Sequence, residues 1–298
     1  MIGMPQEDEM KVSVCIPTRN RPEVLRECLL STRRSTVPVG ETIVSDDSTD
    51  DRTYQLVSSE FPDVKYLRGP RKGIGANRNN AVRIASLEYV SFLDDDGRLG
   101  SSFLENVRSC LARSENPQRT IVTGPTLDTK EGKSYLVYPH EQDFLGFQSL
   151  DYKKGQPINT IVLNSVLFPR SLFDELHFDE SLNTNEEVDL ATRARARGYN
   201  IVLCEPAVNL HRSTPLADRD YPLLDDASRI YVTYKRYAYS EKNPTKGIVY
   251  LLAAVVHLFL SAGKRRGFAG VLEAAHSVKM SSGYIRGFIR SSNKRRSE

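Results

Sequence analysis

The sequence predicts an α/β fold: a largely parallel sheet with helices on its faces. Three observations support this. Short apolar runs alternate with helical patterns through the first half of the chain. The helical stretches are about a dozen residues long, which suits crossovers between parallel strands. Charged or glycine-rich loops follow the apolar runs, and parallel sheets carry ligands beyond the carboxyl ends of their strands.

Val12–Ile16 is an apolar strand, expected to stop at Pro17. Arg21–Arg34 has helical spacing at Val24, Leu25, Cys28 and Leu29, with Asn20 as expected N-cap and Pro22 in the first turn. Glu41–Ser45 is a second strand, Asp50–Glu60 a helix with Thr53, Leu56 and Val57 on one side, and Val64–Leu67 a third strand. Gly75–Ser86 is a helix and Tyr89–Leu93 a fourth strand, after which Ser101 or Ser102 caps a helix to Leu111. Thr120–Gly124 and Tyr135–Tyr138 are expected in a smaller mixed sheet, with residues 142–156 as a loop or short helix. Val162–Pro169 reads as a strand, Ser171 as a helix start, Glu186–Arg197 as a helix and Ile201–Leu203 as the final strand.

Of the 298 residues, 39% are hydrophobic and 27% charged, which excludes wholesale disorder, collagen-like sequence and a heavily membrane-embedded chain. The cysteines Cys15, Cys28, Cys110 and Cys204 form no CxxC pair. They are expected as reduced thiols rather than a disulfide scaffold or a zinc site. The first ten residues are acidic and lack the apolar core of a secretory signal. From Lys264 to Glu298 there are nine basic and two acidic residues, a net of +7. The whole chain carries +3, which leaves −4 for residues 1–263. A basic tail on an acidic body suits an anionic surface.

Four segments carry chemistry. Asp94-Asp95-Asp96 follows the fourth strand, and clustered carboxylates at such an edge suit a hard divalent cation. Asp46-Asp47-Ser48-Thr49-Asp50 follows the second strand; Ser48 or Asp50 suits helix capping, and a spare carboxylate suits a base or ribose. Gly69–Asn79 is glycine-rich and basic and runs into a helix, an edge that suits an anion, but it is neither a Walker loop nor a dinucleotide fingerprint. Glu186, Asp189 and Arg193 share one charged helix face, while Glu187 at the helix start is placed to face a cleft as a general base.

In order and spacing these segments resemble family 2 glycosyltransferases of the GT-A fold, over roughly residues 10–212. Val12–Arg21 resembles the family's opening strand and loop, Glu41–Asp50 its nucleotide-binding segment, Gly75–Asn79 the segment before its metal strand, and Phe92–Asp96 its DxD motif. Phe178-Asp179-Glu180, Glu186–Leu190 and His211 resemble the acceptor-side half. The resemblance implies a GT-A-type, Rossmann-like sheet with a small acceptor-side mixed sheet. It implies inverting, metal-dependent transfer from a nucleoside-diphosphate sugar, most commonly a UDP-sugar, to a hydroxyl of a glycan or lipid-linked acceptor. By position, Asp47 would bond the base with help from Arg78, Thr18 and Arg19 would line the nucleotide site, and Asp95 would bond the ribose. Asp96 would hold Mn²⁺ or Mg²⁺, Asp94 completes the motif, and His211 offers a further metal or diphosphate contact. Glu187 aligns with the catalytic base. The family usually has Glu-Asp there and this chain has Glu-Glu, whose extra methylene moves the carboxylate by roughly 1.5 Å. Either the acceptor sits differently or Glu186 takes the role.

The expected organisation is a tail at 1–10, a GT-A domain at 11–212 and a basic, partly amphipathic helical extension at 213–298. In the extension, residues 248–262 form an apolar run too short to span a bilayer, which wants about 20 residues. It reads as a buried helix or an interfacial one. Behind it, Phe268, Val271, Leu272, Ala275, Val278, Ile285, Phe288 and Ile289 fall near one helical face, with Lys279, Arg286 and Arg290 off it. This suits an anionic membrane surface, hence a cytoplasmic enzyme peripheral at the inner face of the cell membrane. Nucleic acid is not an expected partner, because no aromatic-rich single-strand motif is present. Two alternatives are a sugar-nucleotide-forming nucleotidyltransferase, disfavoured by the glycine-free loop Pro17–Pro22, and a non-catalytic sugar-nucleotide-binding module, disfavoured by the intact acidic clusters.

Overall fold

A computed structural model describes residues 10–130, 132–152, 156–212 and 221–297. All but Met10 of the expected tail, and the start of the expected extension at 213–220, lie outside the described residues. In chain order the elements are β1 (Val12–Thr18), α1 (Pro22–Thr32), β2 (Glu41–Asp46), α2 (Arg52–Glu60), β3 (Lys65–Arg68), α3 (Ile74–Val82), β4 (Tyr89–Phe92), β5 (Gly97–Arg98) and α4 (Phe103–Leu111). Then come β6 (Thr120–Thr123), β7 (Thr126–Lys130), β8 (Lys133–Val137), β9 (Glu141–Gln142), β10 (Gln148–Leu150), β11 (Val166–Pro169) and α5 (Leu172–Glu175). Last are α6 (Glu186–Ala196), β12 (Asn200–Leu203), β13 (Asn209–His211), α7 (Tyr221–Lys235) and α8 (Pro244–Ser297).

Among the described residues the main sheet has seven strands in the order β12-β6-β11-β4-β1-β2-β3. All pairings are parallel except those of β11, which runs antiparallel to β4 and β6. β1 lies near the middle and is buried over its whole length. Its alternation splits the core: Val12, Val14 and Ile16 pack with α1 and α4, while Cys15 packs with α3 and α6. Pro17 does not end β1 as expected. Cys15 C=O accepts from Leu93 N, so Pro17, two residues on, turns its missing N–H to the same side, where β4 has already ended.

Several local expectations are corrected. Asn20 does not cap α1: it sits at φ 56° and its side-chain oxygen accepts from Thr49 N at 2.9 Å. Neither Ser101 nor Ser102 caps α4 with its side chain. Thr120–Thr123 belongs to the main sheet, not to the smaller one. Residues 142–156 were expected as a loop or helix, yet β9 and β10 pair there as a short antiparallel ribbon. The expected strand at 162–169 begins with a 3₁₀ turn over Leu163–Ser165. Ile201–Leu203 is not final, because β13 follows and joins a four-stranded sheet in the order β5-β13-β7-β8. Cys110 and Cys204 form a disulfide rather than two thiols, bringing α4 against the end of β12; Cys15 and Cys28 are free and buried.

The extension is a helical platform. Tyr250, Ala254, Leu258 and Ala262 of α8 pack on Ile230 of α7 and on Tyr237 in the π-helical turn Arg236–Ser240. The opposite side exposes Ile248, Val249, Leu252, Val256 and Leu260. The apolar run is thus buried on one side and open on the other. By length and composition alone the helix over Pro244–Ser292 is long and apolar enough to cross a membrane. α8 breaks at Gly267 (φ 58°, ψ −139°), and beyond the break a Cβ on Gly270 would lie 2.1 Å from Ala262 O. Only a residue without a side chain lets the two arms approach backbone to backbone there.

The platform is tied to α6 by a buried ion cage. Lys235 Nζ lies 2.8 Å from Asp179 Oδ2 and 2.8 Å from Asp189 Oδ1, and Tyr231 OH donates to Asp179 at 2.7 Å. Asp189 also takes Arg193, so the expected exposed charged face of α6 is in fact packed. Burial works to raise the Asp179 pKa, but Lys235 and the hydrogen bonds of Ser181 and Tyr231 hold it well below the usual carboxylate range. Its stabilising contribution is therefore complete above the unfolded value of 3.8 and drains as pH falls through the lower folded value. Lys235→Met leaves Asp179 without a cation and Asp189 with Arg193 alone, and should cost about 3–5 kcal/mol in urea denaturation at pH 7. That penalty should shrink on acidification toward pH 3; an unchanged midpoint at pH 7 would show that the cage contributes nothing.

Candidate functional site

The carboxyl ends of β1, β2 and β4 bring three acidic or polar segments to one edge of the sheet. Thr18, at the end of β1, donates from Oγ1 to Asp95 Oδ2 at 2.7 Å, and both residues are buried. Arg21, at the start of α1, grips Asp95 through Nε and Nη2 and reaches Asp96 Oδ2 with Nη1 at 3.2 Å. Burial pushes Asp95 up to about 7, with Arg21 and Thr18 opposing the rise and the neighbouring Asp96 and Asp94 reinforcing it.

Asp47 follows β2 and is nearly buried. It accepts from Arg71 N at 2.8 Å, and Arg19 lies close enough to act on it electrostatically. Burial raises its pKa despite both. Gly69 makes the pocket for this carboxylate: a Cβ there would fall 2.1 Å from Asp47 Oδ1 and 2.5 Å from Asn77 Oδ1. Asp46 faces inward, accepting from Ser48 N and Tyr66 OH, so it shapes the loop.

Arg78 is not placed with Asp47. From α3 its Nη2 donates to Asp94 Oδ1 at 2.7 Å and its Nη1 pairs with Glu186 Oε1. Both Arg78 and Glu186 are buried. Glu187, one residue further into α6, is only partly buried and lines a cleft of about 430 Å³ with Asp94, Arg78, Asn164 and His211. Burial, then the Glu186 charge, push the Glu187 carboxyl up to about 8, with Arg78 opposing. Both glutamates line the cleft, but they differ: Glu186 is buried with Oε1 held by a guanidinium, while Glu187 is the more exposed of the two.

His211 closes the site from β13. Its Nε2 lies 3.2 Å from Asp96 Oδ1 and its Nδ1 3.4 Å from Asp128 Oδ1 on β7. Burial acts against its charge, but the Asp96 hydrogen bond and the surrounding carboxylates raise its pKa above the ordinary imidazole value. Ligand atoms of Asp94, Asp96 and His211 all lie within 4.8 Å of one another. Donors on opposite sides of one small cation are about 4.2 Å apart, so a small inward shift of these side chains would let the set hold a single ion. The two carboxylates suit Mn²⁺ or Mg²⁺ by donor type, and the imidazole favours Mn²⁺ of the two.

Thr18, Asp94, Asp95, Asp96, His211 and Glu187 thus come together, while Arg19 and Asp47 form a neighbouring group at the β2 end. Three residues escaped the sequence reading. Arg21 was seen only as part of the first loop. Asp128 stands in the weakly patterned stretch after β6. Asn164 fell within an expected strand, yet its 3₁₀ turn lets Oδ1 accept from Asp94 N at 2.7 Å and Nδ2 donate to Asp94 Oδ2 at 3.0 Å.

Comparison with known proteins gives the family and the fold. The family described as Glycosyl transferase family 2 matches residues 13–176. A GalNAc(5)-diNAcBac-PP-undecaprenol beta-1,3-glucosyltransferase of Campylobacter jejuni is 36% identical over 127 residues, covering 41% of this chain and 40% of the relative. A poly(ribitol-phosphate) beta-glucosyltransferase of Bacillus spizizenii is 33% identical over 234 residues, covering 76% of this chain and 34% of the relative. The chain thus spans well under half the length of these two relatives. The fold is shared with S. aureus TarS 1-349 in complex with UDP-GlcNAc, at TM-score 0.63, 18% identity, and 93% and 81% coverage of this chain and that one. It is shared also with the mannosyltransferase PcManGT from Pyrobaculum calidifontis in complex with GDP-Man and Mn²⁺, at TM-score 0.55, 17% identity, and 95% and 79% coverage.

Proposed function

The chain belongs to glycosyl transferase family 2, and we propose that it transfers a sugar from a nucleoside-diphosphate sugar to an acceptor hydroxyl, with inversion and with a divalent cation. The observation that carries this is the shared cleft: Glu187, Asp94 and His211 line one cavity although they lie far apart in sequence. Residues 11–212 would form the transferase unit and 213–298 its extension. A UDP-sugar donor is favoured by the UDP-GlcNAc complex of TarS, and a lipid-linked or polymeric glycan acceptor by the undecaprenol-linked and poly(ribitol-phosphate) substrates in the relatives' names. Both relatives are named for β products, which inversion at an α-linked donor delivers.

In this reading Asp47 and Arg19 take the base, Asp95 the ribose and Thr18 positions Asp95. Arg78 works from the other side, fixing Asp94 and Glu186 rather than assisting Asp47. Asp94, Asp96 and His211 would hold the cation, which when bound neutralises charge on the departing diphosphate. Glu187 takes the proton from the acceptor hydroxyl as its oxygen bonds the anomeric carbon, and the bond to the diphosphate breaks with the electron pair leaving on oxygen. Glu186 has one oxygen held by Arg78 and is the more buried of the pair, which favours Glu187 for the base role. The acceptor would enter along Tyr138, His140 and Gln148, which line the same cleft. The open apolar side of α8 suits a peripheral position at the inner face of a membrane, where a lipid-linked acceptor is held.

Four outcomes are expected. Glu187→Gln should lower turnover about 10²–10⁴-fold while leaving donor affinity, measured by calorimetry, nearly unchanged; near-normal turnover would place the base elsewhere. Because the base must be ionised and its pKa is raised, kcat/KM should climb with pH up to about 8. Glu186→Gln should move that limb toward ordinary carboxylate values. Chelator should abolish transfer and Mn²⁺ restore it, whereas Asp96→Asn should not be restored; chelator-resistant transfer would remove the cation from the reaction.

A further inference from the structure

A second cleft, of about 470 Å³, shares no lining residue with the first. It lies where the β9–β10 ribbon meets α7 and the first arm of α8, and its wall includes Phe147, Asp226, Arg229, His257, Lys264 and Arg265. Arg229 is its built element, 3% exposed. Its Nη1 donates to Leu145 O at 2.6 Å, its Nη2 to Asp226 Oδ1 at 2.8 Å, and its guanidinium stacks 4.0 Å over the Phe147 ring. His257 meets the same ring at 5.6 Å between centroids.

Two features ask for a ligand. Among the described residues the buried Arg229 Nε has no hydrogen-bond partner, nor has the buried His257 Nδ1. An unpartnered buried Arg229 Nε–H, and His257 Nδ1 when it carries the proton, are costly unless something else supplies the acceptor. The charge is also unbalanced. Asp226, the acid in the wall, is taken by Arg229, while Lys264 and Arg265 are exposed and have no ion-pair partner among the described residues. An oxygen-rich anion meets both needs, and clustered guanidinium and ammonium groups suit a phosphate.

The next row of the same helix says what carries that phosphate. Leu252, Val256 and Leu260 follow one another at one-turn spacing, all exposed, and Phe268 and Leu272 beyond the break are exposed too. Cationic cleft and apolar stripe stand side by side, the arrangement an amphiphile requires. We propose that this cleft binds the phosphate of an anionic lipid headgroup, with the stripe against the acyl chains. This rests on the membrane-surface reading above and adds to it a defined headgroup site outside the catalytic cleft.

The test uses the full chain. Binding to vesicles of phosphatidylglycerol and phosphatidylcholine in equal parts is compared with binding to pure phosphatidylcholine, at about 0.15 M salt. A thermal shift with inorganic phosphate at constant ionic strength runs alongside. The wild type should prefer the anionic vesicles at least tenfold. Lys264→Gln/Arg265→Gln should weaken that binding roughly 25-fold, at about fivefold per basic residue near an anionic surface. It should also abolish the phosphate shift. Lys279→Gln/Arg290→Gln removes the same charge from the other arm of α8 and should cost less than fivefold. Equal losses in the two double variants would overturn the cleft in favour of diffuse attraction. Binding without preference for anionic vesicles would overturn the headgroup site and leave the membrane-surface reading standing. No binding to either vesicle would overturn both. A phosphate shift lost in Lys264→Gln/Arg265→Gln, without any lipid preference, would assign the cleft to free phosphate and overturn the lipid.

Discussion

One buried guanidinium holds the site together. Arg78 on α3 spans Asp94, at the end of β4, and Glu186, at the start of α6, which is 108 residues away in sequence. Carboxylates crowded in a low-dielectric cleft repel one another and resist ionisation. Arg78 offsets that repulsion for two of them and opposes it for a third, Glu187. Its position also fixes where α6 begins relative to the sheet edge. The joining of the start of α6 to the edge of the sheet in one cleft therefore depends on a charge that α3 supplies.

The strands and helices up to β4 were legible because each is a short apolar run closed by turn chemistry. The acidic clusters were legible because adjacent carboxylates at a strand's carboxyl end have few structural uses. What could not be read depended on contacts across long sequence separations. Arg21 looks like any loop arginine until Asp95 and Asp96 arrive beside it. Asn164 sits in a run that reads as strand, and only its local 3₁₀ turn frees it to bracket Asp94. The pairing of Cys110 with Cys204, 94 residues apart, leaves no local trace in spacing. Arg78 was identified as a site residue, but its partners belong to the tertiary fold.

The extension shows the same division. Its apolar run was plain in composition, yet composition does not separate a buried face from an open one. The structure resolves this by giving α8 two faces, one packed on α7 and one open to its surroundings. Gly270 has a packing role here, since it is where the two arms meet.

The cage that Lys235 completes draws its anions from the catalytic body and its cation from the appended helices. In this chain the helices are thus seated by charge, and replacing the acidic partners would leave Lys235 buried without a counter-ion.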